Sequence, residues 1–185
     1  MSDGKVEIVR QLVTAGTRKR RGIDERFVLR FPRATAAIAR FVLRRPLHSR
    51  VRTVVLRNAV AIGYGAANRG DYEPPFALYG SDFEFEVPRQ LASLGESGVR
   101  GRQARAEWQR RWIEEWGEFQ FELDEMIDTR ERLVVTGRIH GAGRSSGANV
   151  DSDWGIVFTL GSGLVTREQV FLDRSEALEA AGLSE

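Results

Sequence analysis

Asp82-Phe83-Glu84-Phe85-Glu86-Val87 alternates apolar and acidic residues without a break. A period of two marks a half-buried strand, here with Phe83, Phe85 and Val87 on one face and Glu84 and Glu86 on the other. Downstream, residues 89–100 read as a loop rich in Gly and Ser. A helix is predicted from about Arg102 to Trp116, where Trp108, Trp112 and Trp116 recur every fourth residue. Three or four long strands follow, over roughly 118–128, 132–142, 148–160 and 164–172. Loops holding Thr129-Arg130-Glu131, Gly141 to Gly147 and Gly161-Ser162-Gly163 part them, and the last reads as a hairpin turn because no helix follows it. A closing helix, Ser175 to Ala181, is capped by Asp173 or Ser175 and ended by Gly182.

Upstream of the first strand the pattern is helical. Asn68-Arg69-Gly70-Asp71 signals a turn, and a short helix spans Tyr72 to Tyr79. Before it, Ser49 can cap a helix running to about Asn68, with Val51, Val54, Val55, Ala59 and Ile62 on one side. Pro32 suits the first turn of a helix to about Arg45, with Ile38, Phe41 and Val42 on one face and Arg33, Arg40 and Arg44 on another. Phe27–Phe31 mixes apolar and basic residues without a period. Over residues 5–15, Ile8, Val9, Leu12 and Val13 have helical spacing, which Gly16 ends. Helices, one strand, a helix, then a meander of long strands make an α+β layout rather than repeated βαβ units.

The chain has 185 residues, 42% hydrophobic and 29% charged, enough for one compact domain or one with an appendage. It has no cysteine, which excludes disulfides, thiolate metal sites, iron–sulfur clusters and a thiol nucleophile. The two histidines, His48 and His140, stand far apart and argue against a His-rich metal site, so no cofactor is expected. No apolar run approaches the ~18–20 residues of a membrane span, and the start lacks a signal-peptide core; a cytoplasmic chain with no membrane partner is the expectation. Charge is divided along the chain. Residues 1–58 hold 15 Lys or Arg against 4 Asp or Glu, a net of +11, and residues 59–185 hold 13 against 22, a net of −9. Opposite blocks can serve an anionic partner or meet each other.

Several of these segments resemble one family. Asn68-Arg69-Gly70-Asp71-Tyr72, the strand Asp82–Val87, the Trp-rich helix after Gly101, and Gly161 through Asp173 come in the order of SnoaL-like proteins, of the nuclear transport factor 2 and ketosteroid isomerase superfamily. The ending from Phe171 to Leu183 and the run Gly141-Ala142-Gly143-Arg144-Ser145-Ser146-Gly147 resemble it too. The resemblance covers roughly residues 50–183. It implies a cone-shaped, curved antiparallel sheet wrapped around helices, an α+β barrel with a pocket at its open end, and a homodimer. Residues 1–49 then read as a helical basic extension packed on a SnoaL-like domain at 50–185, although residues 4–15 also resemble the family's first helix.

The isomerase branch of that superfamily uses a carboxylate base with an oxyanion hole of a tyrosine and a protonated Asp. Carried over position by position, the base falls at Val87, the tyrosine near Gly63 and the acid near Trp154 or Gly155, so none is filled in register. A slip of one residue in a strand reverses the face. Other candidates come from strand parity. Thr166, Glu168 and Val170 share a face opposite Arg167 and Gln169, which would make Glu168 a carboxylate desolvated in an apolar pocket. His140 and Arg138 share a face of one strand, Asp151 and Asp153 one of the next, and antiparallel pairing can bring them against Glu168. Glu168, His140 and Asp153 are thus the acid–base candidates. Tyr64, Phe85, Val87, Trp108, Trp112 and Trp154 are the candidate ligand-binding residues, although tryptophans at helical spacing are more often core. Glu114, Glu115 and Glu118 read as a solvated helix end that can meet the N-terminal arginines.

The expectation is a pocket for a small hydrophobic or polycyclic molecule, with isomerase- or cyclase-type acid–base chemistry as its finer form. The alternative is an interaction module whose basic N-terminal helices contact an acidic partner or nucleic acid. Arginines interleaved with apolar positions, and the lack of a recognised DNA-binding motif, argue against nucleic acid.

Overall fold

The computed structural model describes residues 7–87, 98–144, 147 and 149–183. Its elements run β1 (Val9–Leu12), α1 (Ile23–Arg30), α2 (Pro32–Leu43), α3 (Arg50–Asn68), α4 (Glu73–Phe76), β2 (Tyr79–Glu86), β3 (Gly98–Arg100), α5 (Arg102–Glu115), β4 (Trp116–Asp128), β5 (Arg132–Gly143), β6 (Asn149–Gly161), β7 (Leu164–Phe171) and α6 (Arg174–Ala180). The strands form one curved, unclosed sheet in the order β1-β4-β5-β6-β7-β2-β3. All neighbours are antiparallel except β2 and β7, which run parallel with Phe85 opposite Glu168. The curved sheet is thus the expected antiparallel one with a single parallel pair, β2 beside β7.

The long strands form because their alternation separates two apolar faces. Leu133, Val135 and Ile156 join Met126 and Trp154 in a core beneath α3, while Val134, Val157 and Ile127 meet Ala177 and Leu178 of α6 on the opposite side. The β6–β7 turn is a two-residue hairpin in which Ser162 and Gly163 both have positive φ, 53° and 83°. At Gly163 the requirement is double, since a Cβ there would stand 2.7 Å from the Ala36 carbonyl of α2. Asp173 caps α6, its carboxylate accepting from the Ser175 and Glu176 amides, and those bonds hold its pKa low.

One correction falls at the N-terminal side. Residues 5–15 are not a helix where described: Val9–Leu12 forms the edge strand β1, paired with Leu12 opposite Glu125 and Val9 opposite Asp128. Four apolar residues at helical spacing lack the length to hold a helix alone, and an open sheet edge supplies backbone partners. Phe27–Phe31, which carried no period, lies mostly in α1. The 89–100 loop lies mostly outside the described residues, its end being β3. Trp116 opens β4 rather than closing α5, and the side chains of Trp116, Glu115 and Glu118 lie outside those described.

Several ion pairs join the basic stretch to the rest. Arg52 pairs with Asp128, and Arg21 donates to both carboxylate oxygens of Asp71 and to Glu73. The Arg21 guanidinium holds the Asp71 carboxyl below the ordinary carboxylate value of 3.8. A depressed folded pKa contributes stability above the ordinary pKa, and that stability is lost as pH falls through the folded value. Urea midpoints at pH 6 and pH 3 will therefore differ more for the wild type than for Asp71→Asn; equal differences would remove the pair from the acid response.

Candidate functional site

Between the inner face of the sheet and helices α1 to α5 lies a cavity of about 440 Å³. Apolar and aromatic residues make most of its wall, including Phe76, Phe121, Ile156 and Phe158. Val28 of α1 and Ile38, Ala39 and Val42 of α2 contribute as well, so the basic stretch forms part of the enclosure. Ile38, Val55 and Asn58 line the cavity and are also exposed, which places its mouth between α2 and α3.

A polar cluster is set into this wall. Glu168 of β7, 2% exposed, accepts from Arg105 Nη2 at 3.1 Å, Arg105 Nε at 3.3 Å and Tyr79 Oη at 2.9 Å. Arg105 also donates through Nη1 to Gln109 Oε1 at 2.7 Å, and its guanidinium lies over the Phe85 ring, 3.9 Å from the centroid. Glu168 points inward because Arg167 and Gln169 take the other face, where both bond Glu86. Arg105, Trp108, Gln109 and Trp112 project from one face of α5 at spacings of three and four.

Three tyrosines surround this cluster. Burial pushes the Tyr79 hydroxyl well above its usual value of 10, and the Glu168 charge pushes it further. Burial and then Glu168 do the same at Tyr64, while Tyr72 is raised by burial to about 12. All three stay neutral at ordinary pH. Tyr79 has its partner in Glu168. The Tyr64 hydroxyl is buried in the cavity wall and has no protein partner, the case in which a polar group is most costly to leave unmatched.

Of the candidate residues, the structure brings Glu168 and Tyr64 to the cavity. His140 and Asp153 stand elsewhere, on an open face of β5 and β6. His140 Nε2 lies 3.3 Å from Glu122 and Nδ1 3.6 Å from Asp151, and the Asp153 side chain is 68% exposed beside Arg138. Pairing sets Arg138 against Asp153 and His140 against Asp151, with Glu168 a further strand away opposite Phe158. Phe85, Val87, Trp108 and Trp112 form a buried aromatic core beside the cluster rather than the cavity wall. Trp154 is fully buried behind Tyr64, ring centroids 5.3 Å apart. Sequence reading missed Arg105, Gln109 and Tyr79. Arg105 had a signal: a charge three residues before Trp108, on the apolar stripe of its own helix. Among the described residues no three carboxylate or imidazole groups gather as a metal site would require.

The family model of the SnoaL-like domain matches residues 60–168, more than half of the chain. This chain belongs to the SnoaL-like family. Solved structures of the same fold agree. An NTF2-like protein of unknown function from Burkholderia pseudomallei superposes with a TM-score of 0.58 at 20% identity, over 66% of this SnoaL-like chain and 93% of the other. TerC, co-crystallised with polyporic acid, gives 0.56 at 20% identity over 63% and 89%. A Catenulispora acidiphila protein with a ketosteroid isomerase-like fold, in complex with trimethylamine, gives 0.53 at 12% over 68% and 92%. No curated protein matches in sequence.

Proposed function

We propose that this SnoaL-like protein binds a neutral, largely apolar, polycyclic molecule that carries a carbonyl or hydroxyl oxygen. The observation that carries the reading is the Tyr64 hydroxyl, buried without a protein partner in an apolar wall. A ligand oxygen would complete it. The cavity volume falls in the ~300–1,000 Å³ range of small-molecule sites. Neutrality follows because Glu168 and Arg105 already balance each other, so a ligand charge would enter without compensation. Rigid rings suit an aromatic wall and lose little freedom on binding. The TerC complex with polyporic acid is consistent with such an occupant, although the likeness there is one of fold.

Isomerase- or cyclase-type chemistry is the finer reading, with Glu168 as the proton-transfer group and Tyr64 holding the developing oxyanion. Glu168 lines the cavity, which favours it. Its oxygens are also engaged by Arg105 and Tyr79, so binding is the reading supported first. Tryptophan fluorescence titration against a panel of tricyclic and tetracyclic ketones and phenols tests it. Tyr64→Phe will weaken the best binder by about 3- to 10-fold, the worth of one neutral hydrogen bond. A flat response across the panel would end the binding reading. Unchanged turnover in Glu168→Gln, once a reaction is found, would end the acid–base one.

A further inference from the structure

We infer that the outer face of α1, α2 and α3 docks on an anionic lipid bilayer, with the cavity mouth opening into the contact. The apolar faces that sequence patterning assigns to these helices are not fully covered. On α2, Ala34, Ala37, Ile38 and Phe41 are exposed at spacings of three and four, and so are Val51, Val54 and Val55 on α3. Ile38 is 51%, Phe41 56% and Val51 53% exposed. The two faces meet at the cavity, since Ile38 and Val55 both line it. Ile23, Phe27 and Phe31 extend the apolar surface along α1 and its end, with the Phe27 and Phe31 rings 5.3 Å apart. Apolar side chains exposed together on adjoining helices mark an interaction surface.

Charge selects the partner. Arg33, Arg40, Arg44, Arg45, Arg50 and Arg57 are exposed on α2, α3 and the turn joining them, and Arg26 and Arg30 on α1. Among the described residues none of these eight has a carboxylate within 4 Å, unlike Arg10, Arg21 and Arg52. Arg45 instead folds over the Phe41 ring, 4.2 Å from its centroid. Apolar side chains fringed by unpaired arginines match the acyl boundary and the anionic headgroups of one leaflet. A second copy on this face would set arginines against arginines. Nucleic acid would use the guanidinium groups but leave Ile23, Ile38 and the three valines without a role. The sequence excludes a spanning helix, as does the structure among its described residues; it does not exclude a peripheral contact. With the mouth inside the contact, an apolar ligand would enter from the bilayer without crossing water; that last point rests on the cavity reading above.

Co-sedimentation of the full chain with vesicles tests the docking. It will pellet with phosphatidylcholine vesicles containing 30% phosphatidylglycerol, less so at 0.5 M salt, and will stay in solution with phosphatidylcholine alone. The double variant Arg44→Gln/Arg45→Gln will bind about 25-fold more weakly, from about fivefold per arginine. Phe41→Asp with Val54→Asp, both at exposed positions, will abolish pelleting while circular dichroism stays unchanged. Failure to pellet with anionic vesicles overturns the inference. So does salt-dependent binding to a 30-mer oligonucleotide without vesicle binding, which would hand the arginines to nucleic acid. Ketone titration without vesicles reads the cavity separately, so either conclusion can fail alone.

Discussion

Replacing Arg105 with methionine will destabilise the protein by roughly 3–5 kcal/mol, the cost of stranding one partner of a buried ion pair. The side chains of Arg105 and Glu168 are 8% and 3% exposed, so water cannot substitute for the missing guanidinium. Methionine fills similar volume, which limits any cavity contribution. Glu168 would keep its bond from Tyr79 and lose the two from Arg105, and Gln109 would lose its charged donor. In a chain of this length the melting temperature should fall by about 6–20 °C. Adding Glu168→Gln removes the stranded charge, so the double variant will recover much of the loss, and a double-mutant cycle from urea midpoints will show the coupling. A double variant no more stable than Arg105→Met alone would mean the arginine acts by packing on Phe85 and Trp108 instead.

Arg52→Met will cost a similar ~3–5 kcal/mol through a different part of the molecule. Arg52 is wholly buried, and its guanidinium grips Asp128 through Nε at 2.6 Å and Nη2 at 2.8 Å. It also donates to the Arg130 carbonyl at 3.0 Å and to the Leu43 carbonyl. One side chain therefore ties the end of α2 and the start of α3 to the β4–β5 turn, where Arg130 has a φ of +78°. Without it, among the described residues, Asp128 keeps the bond from the Arg130 amide, at 2.9 Å. Amide exchange should speed up at residues 40–45 and 129–132 before it does elsewhere, and Asp128→Asn in the Arg52→Met background should return part of the stability. A change in the urea midpoint worth less than ~0.5 kcal/mol would refute this.

Both arginines show where reading the chain reaches its limit. Arg52 lies among exposed arginines, and nothing in its neighbours along the chain separates it from Arg50 or Arg57. It is buried because Asp128, far away in sequence, arrives opposite it. Residues 5–15 err for a related reason: Ile8, Val9, Leu12 and Val13 suit a helix face, and the β1 pairing with β4 decides otherwise. Glu168 was legible because strict alternation in β7 gives it a face. Its countercharge was not, although Arg105 interrupts an apolar helical stripe. The exposure of Ile38 and Val55 was hidden too, since amphipathic spacing says which residues share a side and not whether anything covers it.

Local order along the chain determined the α+β class, the long strands, the Ser162–Gly163 turn and the family, because side-chain periodicity and turn chemistry act over a few neighbouring residues. The tertiary structure decided which carboxylate became the buried one. Glu168 and Asp153 both stand on alternating strands of the same sheet, and either could face inward on parity alone. The inner side is the one that α1 to α5 cover. There desolvation demands partners, which Arg105 and Tyr79 provide to Glu168, while Asp153 keeps its water.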